Sequence, residues 1–224
     1  MTRPRHGERG YSMGELVVTM AVAGLVLAGL GTVVVSLTRG ARTLNATTGS
    51  SADVRLALEA MSRMLRVAYR PAGETAAIVS AQTGTVSFYA LVDRTNGGTA
   101  PPPVLVTYSW DGTCLRESRT AGRRLSAVSA SGSLYAWDAT PAVTCLLRTT
   151  AAPVFSYATN GALTSTGADP VALAVPAGGL SLMDRKTVRS VRMTVTGPTP
   201  ARGPTVGAST RVTLQNVVAE AGTW

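Results

Sequence analysis

The sequence predicts an α+β protein: a long N-terminal membrane helix packed on a C-terminal antiparallel β-sheet domain. Three observations predict it. Leu16 to Leu37 is a run of 22 residues without a charge. From Asp53 to Tyr69 the apolar residues recur at helical spacing. From Ala76 onward the apolar period becomes two, the period of half-buried strands. The chain has 224 residues, and about 180 of them follow the apolar run, enough for one globular domain of ordinary size.

The first ten residues are short and basic, with Arg3, Arg5 and Arg9, and end in Gly10. Tyr11 follows, and Glu15 is the lone carboxylate at the mouth of the apolar run. At 1.5 Å of rise per residue that run spans about 33 Å as a helix, enough for a bilayer's hydrocarbon core. A carboxylate so close to a membrane segment is costly and points to function. The leading arginines favour a cytoplasmic N-terminus, although Arg39 and Arg42 follow the span. Within the span Ala21, Gly24, Ala28 and Gly31 fall at steps of 3, 4 and 3, which puts small residues on one helix face where another helix can pack.

The glycines and hydroxyl residues between Gly40 and Ser51 lower helix propensity and predict a loosened stretch near 40–51. Helical order resumes at about 52–70, with Ser51 or Asp53 as cap and Val54, Leu58, Met61 and Leu65 as the apolar stripe. Arg55, Glu59 and Arg63 stand at i, i+4 on the wetter face. Arg70-Pro71-Ala72-Gly73 ends the helix. Alternation then marks strands at Val86–Ala90, Val104–Trp110, Val191–Val195 and Arg211–Gln215, with shorter ones at Cys114–Glu117, Val143–Arg148 and Val154–Tyr157. Asp111-Gly112 reads as a hairpin turn. Asn96–Pro103 and Gly197–Gly207 read as loops.

The junction Arg9-Gly10-Tyr11-Ser12-Met13-Gly14-Glu15-Leu16 resembles the start of a type IV pilin-like precursor, the prepilin-type cleavage and methylation family. In that family a basic leader ends in glycine, glutamate stands fifth in the mature chain, and a long apolar helix follows. Gly14 stands where the family usually has a larger apolar residue. The resemblance implies a leader at 1–10, cleavage between Gly10 and Tyr11 by a prepilin peptidase, and methylation of the Tyr11 amine. It further implies a transmembrane and assembly helix at 11–37 and an extracytoplasmic head at 38–224. Glu15 would set assembly register by pairing with a terminal amine. Val154-Phe155-Ser156-Tyr157 followed by Gly161, the run Val188–Met193, and the last strand at Arg211–Leu214 look like J-type minor pseudopilins.

Those readings converge on a non-enzymatic structural subunit, a minor pilin or pseudopilin, of a type IV pilus-like or type II secretion-like filament. Its partners would be the peptidase, the cytoplasmic membrane and other pilin or pseudopilin subunits. It would be a single-pass cytoplasmic membrane protein, carried into a cell-surface or periplasmic filament on assembly. The alternatives are a membrane-tethered binding module that never polymerises, and a DNA-uptake pilin. A secretory signal peptide fits less well, because its core is typically about 7–15 residues.

Charge bears on the DNA alternative. The formal net charge is +9, and loss of Arg3, Arg5, Arg9 and Glu8 with the leader would leave +7. Such a balance attracts nucleic acid or anionic lipid, but the arginines are scattered apart from Arg119, Arg123 and Arg124 and are not interleaved with aromatics. An enzyme is not expected. The single histidine, His6, falls in the leader, which removes histidine-assisted nucleophiles and histidine metal sites from the mature chain. Asp93, Asp111, Asp138, Asp169 and Asp184 stand singly and read as turn residues. No cofactor or metal is expected. Cys114 and Cys145 have no metal-ligand spacing; outside the cytoplasm they would form one disulfide, the other reading being two buried thiols.

Overall fold

A computed structural model describes residues 12–92, 102–126, 134–159, 171–198 and 205–219. The layout is α+β. One long apolar N-terminal helix, α1 (Met13–Arg66), precedes a region of antiparallel strands. The chain divides into two units, Met1–Ala46 and Thr47–Trp224.

The loosening expected at 40–51 is absent: α1 is helical through those residues. Gly costs about 1 kcal/mol relative to Ala in a helix, and propensity at Gly40 and Gly49 is overridden by the helix on either side. The hydroxyls turn inward instead of competing: Thr43 Oγ1 donates to the Arg39 carbonyl at 3.1 Å and Ser51 Oγ to that of Thr48 at 2.8 Å. Ser51 is therefore not a cap. The helix ends where its backbone finds a sheet. Val67 and Ala68 close a tighter turn onto Met64 and Leu65, the amide of Tyr69 bonds the carbonyl of Tyr89, and Ala68 bridges Ala90. Glu59 pairs with Arg63 at 3.2 Å, the order of charges, acid first, that the helix dipole favours.

Ten strands follow. In the first sheet β1 (Ile78–Ala81), β2 (Val86–Ala90), β3 (Val104–Trp110) and β4 (Cys114–Arg124) pair in sequence order. The long β4 then serves two partners. Its Gly122–Arg124 end pairs β5 (Tyr135–Trp137), and Cys114–Arg119 pairs β6 (Ala142–Arg148). The second sheet runs β10-β9-β7-β8, built from β7 (Val154–Ala158), β8 (Ala172–Leu173), β9 (Ser190–Thr196) and β10 (Gly207–Thr213). Every pairing in both sheets is antiparallel. Gly207, read as loop, opens β10 opposite Thr196. Two short helices were not legible: α2 (Leu182–Thr187) and α3 (Gln215–Ala219). Asp184, read as a turn residue, lies in the first turn of α2, where its amide bonds the N-cap hydroxyl of Ser181 at 3.2 Å.

One core unites these elements within the second unit. Val54, Leu58, Met61 and Leu65 of α1 are buried, with Ala57 and Met64 beside them. They share the core with Val86, Phe88, Val106 and Tyr108 of the first sheet and Phe155, Tyr157, Val191 and Met193 of the second. Polar ties join the sheets: Tyr157 donates its hydroxyl to the Gln82 carbonyl at 2.8 Å, and the amide of Phe155 bonds the carbonyl of Thr83 at 2.8 Å. Tyr89, which alternates with the core residues Phe88 and Ala90 along β2, is also buried, because Trp137 stacks on its ring at 5.0 Å and Glu74 takes its hydroxyl at 3.0 Å.

The β3–β4 turn is built by Asp111. Its Oδ1 accepts the amides of Thr113 at 2.9 Å and Cys114 at 2.7 Å, and Gly112 between them has φ +100°, a backbone that L side chains avoid. Those two backbone bonds hold the Asp111 carboxyl below its ordinary range. A disulfide joins Cys114 to Cys145, with Cα atoms 5.9 Å apart, and so ties β4 to β6.

Candidate functional site

Glu15, Ala21, Gly24, Ala28 and Gly31 all fall on α1. Gly10 and Tyr11, the leader, Asp93, Gly161 and Asp169 lie outside the described residues. Glu15 lies in the first turn of α1 and is exposed. Its amide bonds the Ser12 hydroxyl at 3.3 Å and the Ser12 carbonyl at 3.0 Å. Ser12 thus stands at the N-cap and Glu15 three residues on, the S-x-x-E pattern of a capping box. That signal is in the sequence, and the reading of Glu15 as an assembly residue passed over it. The acidic side chain also meets the positive end of the helix dipole, a gain of about 0.3–1 kcal/mol. At Gly14 there is room for the larger residue usual in pilin-like chains, since an added Cβ would meet only Ser12 Oγ, at 3.9 Å.

Behind Glu15 the helix is apolar and uncovered. Residues 12–42 are all exposed. Leu16 is 50% exposed, Leu25 75% and Leu37 68%. Each such side chain would gain about 1.5–3 kcal/mol on full burial, so the surface as a whole demands an apolar environment. The helix is long and apolar enough to be a candidate membrane span. Its hydroxyls suit that setting. Thr19 Oγ1 bonds the Leu16 carbonyl at 2.9 Å, Thr32 Oγ1 that of Gly29 at 2.7 Å, and Thr38 Oγ1 that of Val34 at 3.0 Å. A hydroxyl bonded within its own helix leaves no orphan polar group in hydrocarbon.

Ala21, Gly24, Ala28 and Gly31 are exposed, and a Cβ added at Gly24 or Gly31 would meet nothing within 4 Å. Ala28 and Gly31 floor a shallow groove continued by Thr32, Val35 and Ser36. The arrangement can receive a second helix at close range.

Among the described residues the second unit carries a buried charged group of a different kind. Glu117, 3% exposed, accepts the Tyr108 hydroxyl at 2.9 Å and pairs with Arg119. Burial and the adjacent carboxylate push the Tyr108 phenol up. Each oxygen of the buried Glu117 carboxylate thus has a partner, as a carboxylate inside a sheet requires. Among the described residues no three His, Cys, Asp or Glu side chains converge as metal ligands. No protein-family model matches the chain, and no curated protein matches it.

Proposed function

We propose that this chain is a non-enzymatic subunit, a minor pilin or pseudopilin, of a type IV pilus-like or type II secretion-like filament. The observation that carries the reading is Glu15 in the first turn of an apolar helix that is exposed on every face through residue 42. The helix dipole contributes at most about 1 kcal/mol to a first-turn carboxylate. Carrying a charge to mid-bilayer costs about 2.5–3.5 kcal/mol or more. The dipole does not offset burial of Glu15 among lipid tails or packed helices; a cation must. Cleavage after Gly10 would create one, since an α-amine has a reference pKa near 8 and is mostly protonated at neutral pH. An apolar helix array pairing Glu15 with the Tyr11 amine of a neighbour would hold subunits in one register, because a shifted register leaves both charges unpaired. The small-residue face would let those helices approach.

In this reading the N-terminus starts inside the cytoplasmic membrane, the peptidase removes residues 1–10, Tyr11 is methylated, and the subunit leaves the bilayer for the filament. Intact mass and N-terminal sequencing of protein from its native membrane test the first half. A chain beginning at methylated Tyr11 supports the reading; one retaining residues 1–10 points to a permanent tether. Glu15→Ala tests the second half. The variant should be processed normally yet be lost from sheared filaments, and normal incorporation would refute the register role.

A further inference from the structure

The second unit holds a basic cavity that filament assembly through α1 does not use. We propose that it is a binding site for a phosphate-type oxyanion. The cavity is about 180 Å³ and is walled by Arg70 and Thr75 from the turn after α1, by Arg185 and Lys186 of α2, by Arg189 just beyond, and by Val217 of α3. Four cationic residues line it, and no acidic residue does among the described residues.

The fold builds this concentration of charge deliberately. Ser181 caps α2, and the last turn of that helix carries Arg185 and Lys186. Arg189 is held between strands: its amide bonds the Ala158 carbonyl at 2.8 Å, and its own carbonyl accepts the Leu214 amide at 2.8 Å. Both guanidiniums are steadied by neutral acceptors. Arg185 Nη1 donates to the carbonyls of Val79 and, at 3.4 Å, Ile78; Arg189 Nη1 donates to those of Lys186 at 3.1 Å and Val188 at 3.4 Å. Carbonyls orient a guanidinium without cancelling its charge. Arg185 Nε is buried and has no hydrogen-bond partner among the described residues, a costly condition for a charged donor. Asp184 takes the Ser181 hydroxyl at 2.7 Å.

Size and donor geometry select the ligand. Pockets for drug-sized molecules run to about 300–1,000 Å³, and liquid water occupies about 30 Å³ per molecule, so this cavity suits a compact group of a few water volumes. Its donors come from α2, from the segment after it and from the turn after α1. A carboxylate offers two oxygens on one side. A phosphate offers oxygens in every direction and up to two charges, which suits guanidinium forks and an ammonium arriving from different sides. The source is either free phosphate or a phosphoryl headgroup.

The test uses the full chain in non-ionic micelles at constant ionic strength. Titration calorimetry with inorganic phosphate against a chloride background should show saturable binding, and phosphate should raise Tm above its value in chloride. The double variant Lys186→Gln, Arg189→Gln should weaken phosphate binding at least about tenfold, the loss of one charge-assisted contact. Arg123→Gln on β4, outside the cavity, should bind as the parent does. If the double variant fails to fold, Lys186→Gln alone carries the test, because that side chain is exposed, and it should bind severalfold more weakly. Short-chain phosphatidic acid doped into the micelles separates the sources: displacement of phosphate assigns the site to headgroups, and no displacement assigns it to the free ion. Absence of phosphate binding at millimolar concentrations, or parental affinity in the lysine variant, overturns the proposal.

Discussion

The two ends of α1 are one helix by backbone and two different objects by side chain. Residues 13–42 are exposed all round, whatever their polarity. From Val54 to Leu65 the buried positions are 54, 57, 58, 61, 64 and 65, a single stripe at helical spacing, while Arg55, Glu59 and Arg63 stay wet. The first pattern belongs to a helix that is apolar on every face and has no inside; the second belongs to a helix that has chosen one. What separates them is the supply of partners within the chain. The second unit brings two sheets to the stripe, whereas among the described residues of the first unit none is buried.

The largest expected effect breaks that comparison directly. Leu65→Ala should cost about 2–5 kcal/mol of head stability, the usual range for a buried leucine. Leu25→Ala should leave head unfolding within about 0.5 kcal/mol of the parent. Denaturant melts of the full chain in micelles read both, and a comparable loss in the two variants would erase the distinction. Next in size is the cross-link. Cys114 and Cys145 lie 31 residues apart, and removing a bridge of this loop length typically costs about 2–4 kcal/mol. The Cys114→Ala, Cys145→Ala pair should lower the denaturant midpoint accordingly, and an unchanged midpoint would show that the bridge does not stabilise the fold.

A smaller effect tests how α1 meets the end of β9. A Cβ at Gly197 would lie 2.5 Å from Ser50 Oγ and 2.9 Å from Val54 Cγ2. Gly197→Ala should therefore cost about 1–3 kcal/mol through overpacking. Adding Ser50→Gly should recover part of the loss, and a double-mutant cycle with no coupling would mean the contact is not tight. The last effect appears only at alkaline pH. Burial pushes the phenols of Tyr108 and Tyr157 above their ordinary value, Glu117 adding to the shift at Tyr108, and burial lifts Tyr69 to about 12. The folded state then holds protons that the unfolded chain releases above about pH 10. This stabilisation is complete below that pH and is lost as pH rises toward the folded values, by up to about 1.36 kcal/mol per pH unit for each tyrosine. Tyr157→Phe should flatten the decline of unfolding free energy between pH 10 and 12, and an unchanged slope would show that this phenol does not titrate on unfolding.

By itself the sequence determined the features that periodicity and composition encode. An uncharged run of 22 residues has the length of a bilayer span whatever follows it. Period-two runs at Val86–Ala90, Val104–Trp110 and Ser190–Thr196 are strands because each side chain must choose one of two faces. Asp111-Gly112 is a turn because only a carboxylate and a residue tolerant of positive φ satisfy that backbone. The motif Ser12-x-x-Glu15 is equally legible, as a cap. Tertiary structure decided the rest. The helix runs through Gly40–Ser51 because flanking turns outweigh local propensity. Tyr89 is buried because Trp137, far along the chain, lies over it. β4 exceeds its apolar pattern because two strands share it along its length. The basic cavity exists because α2, the segment after it and the turn after α1 converge, and no local spacing connects Arg70 with Arg189. Local free energies are written along the chain; the partner that a side chain meets across the fold is not.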